Sequence, residues 1–99
     1  MKKADSDSTF TFIIEYDGGT YISQWIAASP KKALSKWMRL FDFSVIPRFR
    51  ASWLDAFRKD MVSEHPTRIS GTKGVWCAGG ILGNKLMIIN VVRTSITKP

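Results

Sequence analysis

Phe10, Phe12, Ile14 and Tyr16 fall at every second position, with Thr11, Ile13 and Glu15 between them. Period two with one mostly apolar side predicts a strand of an antiparallel sheet packed on one side. Asp17-Gly18-Gly19 breaks the pattern and supplies the positive φ angles that a tight hairpin needs. The returning strand, Thr20 to Ala28, divides into Tyr21, Ser23, Trp25 and Ala27 on one side and Ile22, Gln24, Ile26 and Ala28 on the other. Both sets mix polar and apolar residues, so the pattern alone leaves the buried side of this strand undecided.

Helical spacing takes over at Ser29-Pro30. A serine hydroxyl suits the N-cap, and proline suits the first helical position. Ala33, Leu34, Trp37, Met38, Leu40 and Phe41 then share one side, and Lys31, Lys32, Ser35, Lys36 and Arg39 the other. The polar side carries four cations and no anion. Lys31 and Lys32 sit at the helix N-terminus, where the macrodipole disfavours positive charge by roughly 0.3–1 kcal/mol. Neither feature helps this helix to fold.

Asp42 to Arg50 reads as a connection, punctuated by Pro47. A second helix is predicted from about Trp53 to Glu64, with Ser52 and Asp55 as an imperfect capping box and Trp53, Leu54, Phe57 and Met61 as its apolar stripe. His65-Pro66 ends it, because a residue before proline avoids helical angles. Thr67 to Gly74 is polar and turn-like, with room for a short strand at Arg68 to Ser70. Two strands follow, Val75 to Leu82 and Lys85 to Thr94, joined by a Gly83-Asn84 hairpin signal. The last strand is apolar on both sides and is the best candidate for a central position. Gly79-Gly80 inside a strand pattern marks a bulge or a close backbone approach.

The predicted fold class is α+β, with element order β-β-α-α-β-β and a four-stranded antiparallel sheet carrying both helices on one face. One domain over residues 9–94 is expected, between a disordered N-terminal tail (1–8) and a C-terminal tail (95–99).

Charge changes the picture more than size does. The 99 residues hold 15 Lys and Arg against 8 Asp and Glu, a net charge of +7. An excess of this size suits nucleic acid or an acidic protein partner, and it also serves plain solubility. Cys77 is the only cysteine, so no internal disulfide or cysteine-based metal cluster can form, and a reducing, cytoplasmic location is expected. The first residues lack the apolar stretch of a signal peptide, and no window reaches the roughly 18 apolar residues of a membrane span. No membrane role is expected.

Chemistry-bearing sets are sparse. His65 is the sole histidine and sits in a turn context. Cys77 lies in an alternating strand, where a free cysteine behaves as a small hydrophobe. No nucleophile–base–orienter set and no ligand spacing emerges, so the reading is a non-enzyme with no catalytic, cofactor-binding or metal residues. Gly71-Thr72-Lys73-Gly74 could cradle a phosphate through backbone N–H groups beside a lysine, but it lacks the spacing of a P-loop. Together with Lys73, the stripe Lys31, Lys32, Lys36 and Arg39 forms the candidate contact set for phosphates or an acidic partner. Tyr21, Trp25 and Trp76 are the candidate interface aromatics, since a sheet covered on one side leaves its other face open.

The hairpin followed by Ser29-Pro30-Lys31-Lys32-Ala33-Leu34 resembles the opening of HicB-type antitoxins, which enter their helix with a similar Ser/Thr-x-x-x-Ala-Leu pattern. The glycine-cysteine segment usual in their second strand is absent here, and the resemblance stops after this opening. The expected function is a small binding module acting through protein–protein contact, self-association included. The alternative is a basic nucleic-acid-binding domain that contacts phosphates through the first helix.

Overall fold

A computed structural model describes residues 7–94. Both expected tails therefore lie outside the described residues, except for Asp7 and Ser8, and Ser8 already belongs to the first strand. The elements are β1 (Ser8–Tyr16), β2 (Gly19–Ala27), α1 (Pro30–Leu40), a 3-10 turn (Phe43–Val45), α2 (Trp53–Met61), β3 (Thr67–Arg68), β4 (Val75–Leu82) and β5 (Lys85–Arg93). The sheet order is β2-β1-β5-β4-β3, antiparallel throughout.

The fold is α+β, but the sheet has five strands rather than the expected four. The extra strand is β3, two exposed polar residues that pair with Cys77 and Trp76. The short strand read at Arg68 to Ser70 overlaps it at Arg68 and begins one residue late, because nothing in so short a polar segment alternates and its bounds are set by the partner. The apolar last strand, β5, occupies the centre.

The β1–β2 hairpin turns on Asp17 and Gly18, both at positive φ (48° and 82°), as a two-residue primed turn requires. Pairing with β1 also settles β2. Tyr21 lies opposite Ile14 and Trp25 opposite Phe10, so the Tyr21-Ser23-Trp25-Ala27 set faces the core. Ser29 caps α1 as expected, accepting from Lys32 N at 3.1 Å. Ser52 makes no side-chain cap, and α2 ends at Met61, short of Glu64. Leu40, placed on the apolar stripe by spacing, lies at its flank and is 54% exposed.

Both helices pack on one face of the sheet, α1 toward β2 and α2 toward β4. Between them lies an aromatic core centred on Trp37, whose ring meets Phe12, Phe41, Phe43 and Phe57 at centroid distances of 5.4–6.1 Å. Such pairs add about 0.5–1.5 kcal/mol each beyond area burial. Gly80 is where α2 approaches the sheet. A Cβ there would sit 2.6 Å from Met61 Sδ and 3.0 Å from Phe57 Cε1. Of the two glycines it is Gly80 that reports a close helix–strand approach; Gly79 faces the open side of the sheet and meets no helix. Tyr16 ties the end of β1 to β4 by donating from its hydroxyl to Leu82 O at 2.5 Å.

Candidate functional site

The cationic stripe of α1 does not form one free surface. Lys31 Nζ donates to Val62 O (3.1 Å) and Glu64 O (2.5 Å), carbonyls at and beyond the C-terminus of α2. A cation here complements the negative end of α2 and satisfies carbonyls that helix geometry leaves open. The lysine that opposes its own helix dipole thus serves the neighbouring one. Lys36 Nζ donates to Ile26 O at 2.7 Å. Opposite Ile26, Thr9 gives its carbonyl to Thr94 N, on the β5 side, so Ile26 turns its backbone to the free edge of β2. Lys36 covers part of that edge. Lys32 and Arg39 stay exposed. They line a shallow cleft of about 410 Å³ with Lys36 and Ile26. Lys73 is exposed in the β3–β4 loop, on the opposite side of the sheet from β2 and α1, and does not join them.

Tyr21, Trp25 and Trp76 are not on the open face. All three point to the helix side, half-buried against the core. Trp25 Nε1 donates to Ser23 Oγ at 2.8 Å, and Trp76 meets Phe10 edge-on with Arg93 above it. Their partial exposure comes from their place at the rim of the core.

What the open face does carry follows from register. Its rows run Gln24-Thr11-Val92-Val75, then Ile22-Ile13-Asn90-Cys77, then Thr20-Glu15-Ile88-Gly79, with Leu86-Ile81 beyond. Ile22 is 66% exposed, Leu86 57% and Ile81 49%. Among the described residues, no lysine or arginine occupies a strand position on this face, and its one carboxylate is Glu15. The covered side and the loops hold all the described cations. Asn90 Nδ2 donates to Ile13 O (3.3 Å) and Gln24 Nε2 to Thr11 Oγ1 (2.9 Å), which holds the polar members within the sheet. An exposed, aliphatic, nearly uncharged surface of this kind is a candidate contact site. No sequence pattern singled it out, because the two sides of β2 are equally mixed until β1 fixes which is which.

A second constellation lies at the hairpin end of the sheet. Tyr16, Asp17, Pro47, Arg48, Phe49, Arg50, Trp53, Asn84 and Lys85 line a cleft of about 600 Å³. Asp17 receives Lys85 Nζ at 3.3 Å and Arg48 at 3.8 Å, both exposed pairs of the kind worth about 0–1 kcal/mol. Phe49 N donates to Ile46 O at 3.1 Å, closing a turn over Pro47-Arg48, and Arg48 sits at φ 63°. Proline followed by a positive-φ residue is the type II arrangement, where the second position favours glycine. Arginine there costs on the order of 1–2 kcal/mol of backbone strain. Burial, and the negative charge of Asp17 beside it, raise the Tyr16 phenol above its usual range. Hydrogen bonds from the Ser44 hydroxyl and backbone hold Asp42 below its usual range, at the cap of the 3-10 turn.

Among the described residues, no group of His, Cys, Asp or Glu is placed to hold a metal ion, and no helix is long and apolar enough to cross a membrane. His65 is exposed and Cys77 is half-buried on the open face. Compared with family models, with curated proteins and with solved structures, the chain finds no match.

Proposed function

We propose that this chain is a small non-enzymatic binding module that acts through protein–protein contact, and that its first partner is a second copy of itself seated on the open sheet face. The observation that carries the reading is the separation of charge. A chain with net charge +7 keeps every described cation off the strand positions of a surface that exposes Ile22, Ile81, Leu86 and Ile88. Two copies placed face to face hold their positive layers apart, with faces that carry a single carboxylate each (Glu15) between them, so self-repulsion opposes this contact less than one through the helix layer.

Size supports the same occupant. Four strands of eight or nine residues make a surface about 30 Å long and about 20 Å wide, or about 600 Å² before side-chain relief. A standard interface buries about 800 Å² per partner. Face-to-face sheets pack about 10 Å apart with interdigitated aliphatic side chains, the chemistry offered here. The alternative, phosphate contact through α1, retains only Lys32 and Arg39 as uncommitted cations on that helix and is the weaker reading.

Sedimentation equilibrium tests the proposal. The native chain is expected at about twice its 11.2 kDa mass. The double substitution Ile22→Lys, Ile88→Lys is expected to run as a monomer with an unchanged circular dichroism spectrum. A native chain that stays monomeric at about 0.1 mM, a concentration at which even modest dimers form, overturns it.

A further inference from the structure

We infer that the cleft at the hairpin end of the sheet is a binding site for a phosphate monoester carried on an aromatic or apolar group. The inference is independent of the dimer, because the cleft lies beside the β1–β2 and β4–β5 turns and its cations stand off the open face.

Three cations from two separate parts of the chain converge there. Arg48 and Arg50 come from the connection before α2, and Lys85 from the start of β5. Among the described residues the one carboxylate lining the cleft is Asp17, shared between Arg48 and Lys85. Arg50 has no ion pair among the described residues. Three positive charges against one negative leave a net charge of two, which matches a phosphate monoester dianion rather than a single carboxylate.

The backbone points the same way. Arg48 holds the positive φ of a turn position that glycine fills without strain. The guanidinium that this strained position carries has one ion-pair partner among the described residues, the exposed Asp17 carboxylate at 3.8 Å, so it is left largely free to meet an anion. Phe49 and Trp53 wall the cleft, half-buried and edge-to-face at 5.9 Å, with the Trp53 ring packed over Gly83. They offer an apolar surface to whatever bears the phosphate. The cleft, at about 600 Å³, lies within the roughly 300–1,000 Å³ range of small-ligand sites.

The test is calorimetric titration of the full chain with adenosine monophosphate, phosphotyrosine and inorganic phosphate. One or both monoesters are expected to bind at least about tenfold more tightly than inorganic phosphate, because the aromatic walls add apolar contact. The tighter of the two identifies the source of the phosphate as a nucleotide or as a modified side chain. Arg50→Ala is expected to weaken binding about tenfold or more, and Lys32→Ala to leave it unchanged. Asp17→Asn keeps a residue that tolerates positive φ and removes the competing anion, so it is expected to tighten binding about threefold. Arg48→Gly is expected to lose affinity while the melting temperature stays the same or rises. Absence of binding by both monoesters, equal binding of inorganic phosphate, or an Arg50→Ala protein that binds like the native chain overturns the inference.

Discussion

On the helix side of β1, Phe10, Phe12, Ile14 and Tyr16 are withdrawn from water, while one residue away on the same strand Thr11, Ile13 and Glu15 face outward. The same division crosses β2 and β5, yet the outward side of the sheet is not polar in the way a solvated face is. It exposes Ile22, Ile81, Leu86 and Ile88, against one charged side chain. The covered side is apolar because α1 and α2 sit on it. The open side is apolar with none of the described elements packed on it. On the proposed reading that difference separates a core from a contact surface, and charge sharpens it: the described cations lie on the covered side and in the loops and avoid the sheet's outer face.

Substitutions that treat the two faces alike therefore give unlike results. The largest effect is expected at Trp37, which is fully buried and touches four other aromatic rings. Trp37→Ala should cost about 3–5 kcal/mol in urea unfolding. Ile22→Ala, at the same strand layer but outside, should cost the isolated chain less than about 1 kcal/mol. Comparable losses at the two positions would erase the distinction.

A smaller contrast sits within the cationic stripe. Lys31→Ala removes two hydrogen bonds to carbonyls at the end of α2 and is expected to lower stability by about 1–2 kcal/mol. Lys32→Ala, one residue along and exposed, should fall within about 0.5 kcal/mol of native. Equal effects would show that the first lysine is as idle in folding as the second.

The smallest effect is in pH. Because the folded state raises the Tyr16 pKa above 10.0, the neutral phenol favours folding. That contribution is complete below pH 10.0 and is lost as pH climbs through the raised value. Tyr16→Phe should flatten the alkaline fall in melting temperature and cost about 1 kcal/mol at neutral pH through the bond to Leu82 O. An alkaline limb of the same slope in both proteins would assign that sensitivity elsewhere.

How much of this was readable in advance depends on distance along the chain. The alternation of β1, the Asp17-Gly18 turn, the Ser29 cap and the two-sided apolar run of β5 are local signals, and each appears where its pattern predicts. Gly79-Gly80 was legible as a close approach, although the approaching side chains, Phe57 and Met61, were not. What escaped depends on partners far away in sequence. The short strand read at Arg68 to Ser70 lies at Thr67–Arg68, where Cys77 and Trp76 pair with it, and its place as a fifth strand of the sheet was not foreseen. Tyr21 and Trp25 face inward only because Ile14 and Phe10 stand opposite. Lys31 and Lys36 read as free charges until the carbonyls of Val62, Glu64 and Ile26 come within reach. The hairpin-end cleft joins Arg48 to Lys85 through Asp17, and no spacing rule links those three positions.

Cys77 offers the most direct test of the open face as the contact surface. It lies half-buried on that face beside Asn90, on β4, three strands away from the free edge of β2. A dimer that joins edges would leave its thiol as it is in the single chain, whereas one that joins faces would cover it. The alkylation rate of Cys77 is expected to fall several-fold as protein concentration rises through the dimer range, and to stay at the dilute value at every concentration in the Ile22→Lys, Ile88→Lys protein. A rate independent of concentration in the native chain, measured where sedimentation shows a dimer, would contradict the account.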